Sequence, residues 1–139
     1  MSRICGIELR SSEAIFAVIE CTEDDAQFVD IEPKKIKLND DESSALIRSF
    51  YDAVVNFSKE NQIDAFVIKK RAKRGQMAGG AISFKLEALI QLNGVTEVFF
   101  VSGQGIAASH KKAPFEMPDG MKKYQETAFM AASLYIRQN

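Results

Sequence analysis

RICGIELRSSEAIFAVIE, residues 3–20, contains two apolar, β-rich runs, RICGIEL and AIFAVIE, separated by the polar RSSE. Two such runs around a short polar break predict an antiparallel hairpin that opens a sheet. Ser11-Ser12 is a poor tight turn, so a loop slightly longer than two residues is expected. In this register Cys5 faces residue 17 or 18. Its offset from Cys21, about three residues at roughly 3.4 Å each, is too long for a disulfide, so both thiols are expected to be free. Glu8 is the one carboxylate near the exit of the first strand. Burying it is costly unless something pairs with it, so its partner is a central question.

Further along, QFVDIEPKKIKL (27–38) predicts a third strand. Pro33 and Lys34, Lys35 and Lys37 place that strand at a sheet edge. NDDESSALIRSFYDAVVNFSKENQ (39–62) predicts a helix capped by Asn39, Asp40 or Asp41, with Leu46, Ile47, Phe50, Val54 and Phe57 on one face. DAFVIKK (64–70) and VTEVFFVSG (95–103) are short apolar runs that predict buried parallel strands. GGAISFKLEALIQLNG (79–94) and DGMKKYQETAFMAASLYIRQ (119–138) predict two more helices. The first turns Leu86, Leu89 and Ile90 inward, and the second Ala128, Ala131 and Leu134 or Tyr135. QGIAASHKKAPFEMP (104–118) is expected to be loop.

The 139 residues, 46% hydrophobic and 27% charged, predict one soluble domain, residues 1–139. No apolar run nears the roughly 18 residues of a membrane span, and MSRICGIELR lacks a signal peptide's apolar stretch, so a cytoplasmic protein is expected. The net charge of −1 hides an asymmetry. Residues 69–85, KKRAKRGQMAGGAISFK, hold six basic residues and no acid, against 12 basic and 19 acidic elsewhere. Such a block suits an anion-facing surface.

The order β-β-β-α-β-α-β-α, with right-handed crossovers, predicts a five-stranded mixed α/β sheet with helices on both faces. This order, the GIE closing the first strand and the alanine-rich ETAFMAAS of the last helix resemble the ribonuclease H-like fold of RuvC-type Holliday-junction resolvases. KKRAKRGQMAGGAISFKLEALIQL also resembles a small bacterial family of unknown function in that superfamily. The resemblance implies a two-metal phosphodiesterase site, with magnesium or manganese as the cofactor and about four carboxylates to hold it. Glu8 stands at the first acidic place. Lys69 or Lys70 stands at the second, and Tyr124 and Thr127 stand at the last two, where a one-residue shift of register brings in only Glu126. A lysine within the cluster repels a metal ion, so the expectation is that Glu8 pairs with Lys69 or Lys70. Two other readings remain open: Glu8 reaching solvent, or holding a metal.

The basic stretch carries the stronger functional expectation. Lys69, Lys70, Arg71, Lys73 and Arg74 leave a strand at the carboxyl edge of the sheet, where open α/β folds bind ligands. Gly75, Gly79 and Gly80 allow close backbone approach before a helix, and Ser83 is expected to cap that helix or contact a phosphate. The expected ligand is a nucleic acid or another phosphate-bearing molecule, bound without a cofactor. The alternatives are a metal-dependent nuclease using Glu8, Glu126 and a further acid such as Glu116 or Asp119, and a protein-interaction module, with homodimerisation possible. His110 is the only histidine, which excludes chemistry needing several. Ser102 follows a strand but lacks the G-x-S-x-G context of a nucleophile.

Overall fold

A computed structural model describes residues 1–71 and 80–139. The expected Lys73, Arg74, Gly75 and Gly79 lie outside the described residues. The first hairpin pairs β1 (Ser2–Arg10) with β2 (Glu13–Cys21) along their whole length, from Ser2 opposite Cys21 to Arg10 opposite Glu13. The connection is therefore the two-residue Ser11-Ser12, tighter than expected. Ser11 takes φ 55°, and both turn carbonyls have tertiary partners. The buried Ser83 hydroxyl donates to Ser11 O at 3.0 Å and the Leu38 amide to Ser12 O at 2.8 Å. These contacts offset a conformation that serine does not favour by itself. Cys5 lies opposite Val18, and both cysteines are free. Burial pushes the Cys5 thiol well above its usual range.

The third expected strand is two strands, β3 (Ala26–Val29) and β4 (Lys35–Lys37). Both pair with the same edge of β2, β3 along Val18–Cys21 and β4 along Glu13–Ile15. The chain leaves the ladder between them, around Pro33, which has no N–H to give it. Lys34 spans the gap, with Nζ 3.1 Å from Asp30 and paired also with Glu32. The sheet then runs β3-β2-β1-β5-β6, with β5 (Ala65–Lys69) and β6 (Glu97–Val101) parallel to β1. β5 is buried on both faces. β6, expected to be buried, has three half-buried residues and, among the described residues, β5 alone as a strand neighbour.

One face of the sheet is covered by α1 (Ser44–Glu60) and α2 (Ala81–Gln91). Ser43 caps α1, accepting from Leu46 N at 3.2 Å, whereas Asp40 takes the Glu42 amide instead. Phe50, Val54 and Phe57 are buried, and Phe57 stacks on Phe16 at 4.6 Å. Leu46, expected inward, is 37% exposed. The other face is covered by α3 (Gly103–Lys112) and α4 (Glu126–Gln138), the latter entered through a 3-10 turn at Lys123–Gln125. α3 replaces the expected loop. Ser102 caps it, Ile106 anchors it in the core, and Lys111 and Lys112 complement its negative end.

Gly6 determines how closely α4 approaches. A Cβ there would sit 1.8 Å from Ala128 O and 2.9 Å from Ala132 N. The backbone of α4 therefore lies directly on β1, with Ala128, Ala131 and Ala132 fully buried beneath it. This contact sets the start of α4 beside the carboxyl ends of the parallel strands.

Candidate functional site

β1, β5 and β6 run in the same direction, so their carboxyl ends open on one edge of the sheet. Glu8 and Lys69 sit there, each one residue beyond the last β1–β5 pairs, Gly6 with Val67 and Ile7 with Ile68. Strand alternation puts both on the α4 face with Gly6 and Val67. The expected Glu8–lysine pair does not form. Glu8 accepts instead from Arg10 Nη2 at 3.1 Å, with the glutamate side chain 12% exposed and the arginine 56%. Residues i and i+2 of a strand share a face, so the partner was already present in the sequence spacing.

Lys69 runs towards the start of α3. Its Cε lies 3.2 Å, and its Nζ 4.0 Å, from the position a Cβ on Gly103 would take. A side chain on residue 103 would press on the end of that lysine, and glycine gives it room beside the first turn. Ser102 Oγ accepts from Gly105 N at 2.9 Å, and Ser102 O accepts from Ile106 N at 3.0 Å. Those bonds use the third and fourth amides of the helix end; the first two, of Gly103 and Gln104, have no acceptor among the described residues and can serve an external one. The Ser102 hydroxyl is thus a cap and not a nucleophile. The combination of an ammonium group and a free helix N-terminus is suited to an anion. This pairing was not expected from the sequence, where only Ser102 ahead of an alanine-containing run hinted at a helix start.

The remaining expected residues divide. Lys70 and Arg71 continue from β5 and border a small cleft of about 300 Å³ with Phe84, Glu87, Gln91 and Phe100. Gly80 caps α2 with no side-chain bond, and among the described residues nothing lies within 4 Å of a Cβ placed on it. Ser83 is fully buried on Ser11 O and is removed from the ligand set. Tyr124, at one of the acidic places the resemblance implied, lies under Lys35 Nζ at 4.9 Å from the ring centre, and Lys35 also meets Glu13 at 3.5 Å. Glu126 opens α4 as its first-turn acid. Glu116 and Asp119 instead line a groove against β3 and α4. Among the described residues no three His, Cys, Asp or Glu side chains gather where they could hold a metal ion. A pair of divalent ions does not fit this donor set: the Glu8 carboxylate is engaged by Arg10, and Lys69 occupies the neighbouring strand end.

Gln125 fixes the α4 end of this edge. Its buried amide donates to Phe16 O at 2.8 Å and accepts from Lys122 N at 3.0 Å. Gln125→Ala leaves both backbone groups without that partner, at a cost of about 1–3 kcal/mol. Gln125→Glu keeps the size but sets carboxylate oxygen against carbonyl oxygen, and is expected to cost more. Urea unfolding of the two variants checks the order.

Residues 2–135 match the family model described as "Protein of unknown function (DUF3010)". No curated protein matches the chain. Among solved structures, the fold resembles that of Thermus thermophilus RuvC, with TM-score 0.73 at 9% identity over 98% of this chain and 96% of that one. The fowlpox virus Holliday junction resolvase gives TM-score 0.56 at 11% identity over 99% of both chains. The yeast mitochondrial Holliday junction resolvase gives 0.57 at 12% identity over 98% of this chain and 79% of that one. The fold is ribonuclease H-like, of the RuvC type. No helix among the described residues is long and apolar enough to cross a membrane.

Proposed function

The chain belongs to the DUF3010 family, and from that premise we propose that it is a non-catalytic, cytoplasmic nucleic-acid-binding domain, one unit over residues 1–139, that holds phosphates at the carboxyl edge of its sheet. The observation that carries this reading is Lys69 packed against Gly103 at the open start of α3. Lys70 and Arg71 continue the same positive charge from β5, Lys73 and Arg74 follow them in the sequence, and Gly80 begins α2 without a side-chain cap. The similar solved structures are Holliday junction resolvases, two of them in complex with junction DNA, which favours a nucleic acid over a small phosphate compound. Arg10 on Glu8 argues against hydrolysis, because releasing the carboxylate to a metal ion means breaking a charge-assisted bond.

The test is binding and cleavage measured side by side on single-stranded, double-stranded and four-way-junction DNA, with magnesium and then manganese. Binding without cleavage is expected, unchanged by chelator. Cleavage that disappears in Glu8→Gln would replace this reading with that of a nuclease. Absence of binding in low salt would end it.

A further inference from the structure

A groove of about 640 Å³ lies between β3 and the later turns of α4, and the proposed phosphate site makes no use of it. Ile19 of β2 forms its floor. Phe28 and Phe129 meet edge-on across it at 6.4 Å, and Phe115, Met117 and Ile136 complete the apolar lining. Arg137 is committed elsewhere: its guanidinium lies 3.8 Å over the Phe115 ring, and Nη1 donates to Ser109 Oγ at 2.8 Å. The remaining charged residues of the groove, Glu116 and Asp119, are exposed and form no ion pair among the described residues. Glu23 and Asp24, just before β3, are likewise exposed and unpaired.

The strand wall of the groove is an open edge. Among the described residues β3 pairs with β2 alone, so alternate residues of Ala26–Val29 direct N–H and C=O outward. Sheet edges are ordinarily protected by lysine, proline or a bulge. β4, on the same side of β2, carries Lys35 and Lys37, whereas the sequence AQFV of β3 has neither charge nor proline. Phe28 lies opposite Ile19, so a strand added outside β3 would drop every second side chain onto this same apolar face.

We infer that this edge and groove bind an extended basic segment of a partner protein. The segment adds as a strand beside β3, places alternate apolar side chains against Phe28 and Phe129, and carries Lys or Arg at its two ends, beyond the paired residues, where they reach Glu23, Asp24, Glu116 and Asp119. The same acids repel a phosphate backbone, so this face and the carboxyl edge take different ligands, and neither proposal depends on the other.

A blocked peptide with a Val core and Lys residues at both ends, titrated into the labelled protein and followed by amide chemical shifts, tests this. Shifts confined to β3 and the groove are expected. The double variant Glu116→Lys/Asp119→Lys, altered only at exposed positions, should bind at least roughly tenfold more weakly. The same peptide N-methylated at alternate residues should lose binding, because it cannot donate to the edge. Equal binding of a Val-core peptide with Glu at both ends, survival of binding after N-methylation, shifts elsewhere, or no binding would each overturn the inference. Concentration-dependent self-association that shifts the same amides without peptide would overturn it in favour of a second copy of this chain.

Discussion

Gly6→Ala should unfold the protein at a temperature roughly 10 °C lower than the parent, or prevent it from accumulating folded. The added methyl group would meet Ala128 O at 1.8 Å and Ala132 N at 2.9 Å, and both are backbone atoms of a helix, not the tips of side chains that can turn aside. α4 must lift from β1 as a body, and Ala128, Ala131 and Ala132 lose their packing with it. Overpacking of a core usually costs about 1–3 kcal/mol, and a clash with helix backbone belongs at or above the upper end, on the order of 3 kcal/mol or more. At about 3 °C per kcal/mol for a chain of this size, that gives the stated shift. Gly80→Ala is the control, since among the described residues nothing lies within 4 Å of its Cβ position, and a change within about 1 kcal/mol is expected. Equal melting temperatures for the two variants would remove the close approach of α4 from the account of the fold.

DNA affinity should fall roughly a hundredfold between about 50 and about 200 mM salt. About four phosphate contacts from Lys69, Lys70, Arg71, Lys73 and Arg74 give a double-logarithmic slope near −3.6 for a duplex, and a fourfold rise in salt then costs approximately that factor. Lys69→Ala should make the slope shallower by about one and weaken all sequences alike, as loss of a single phosphate contact does. Arg10→Ala should leave the slope nearly unchanged, because that guanidinium is engaged by Glu8. A flat salt dependence, or a slope that Lys69→Ala does not alter, would mean that the positive carboxyl edge is not where the nucleic acid lies.

The readable parts of the molecule were those in which local pattern and tertiary demand agree. The apolar runs of β1, β2 and β5 and the one-sided Phe50, Val54 and Phe57 of α1 are specified by local pattern alone. Elsewhere long-range contacts override local preference. Ser11-Ser12 makes a two-residue turn because Ser83 and Leu38 hold its carbonyls. GQGIAASHKK forms a helix despite two glycines, because Ser102 caps it and Ile106 is buried in the core; a Cβ on Gly105 would crowd Ser102 Oγ at 3.0 Å and Leu134 at 3.4 Å. β3 and β4 separate because the chain departs from β2 around Pro33 and returns to it. The site divides in the same way. The shortage of acids at the expected places was visible in the residue types, but the pairing of Glu8 with Arg10 and of Lys69 with the start of α3 was not read from them.

What the sequence determined by itself was the order of elements, the apolar face of each, and the presence of cations where a hydrolytic site would need oxygen ligands. Those properties follow from side-chain periodicity and residue chemistry, which act over a few neighbours. Only the tertiary structure decided which charges meet, which helix end stays open and which strand edge is left without a partner. Each of these depends on groups far apart in the chain being brought within a few ångströms, and burial of the two faces of one sheet is what brings them there.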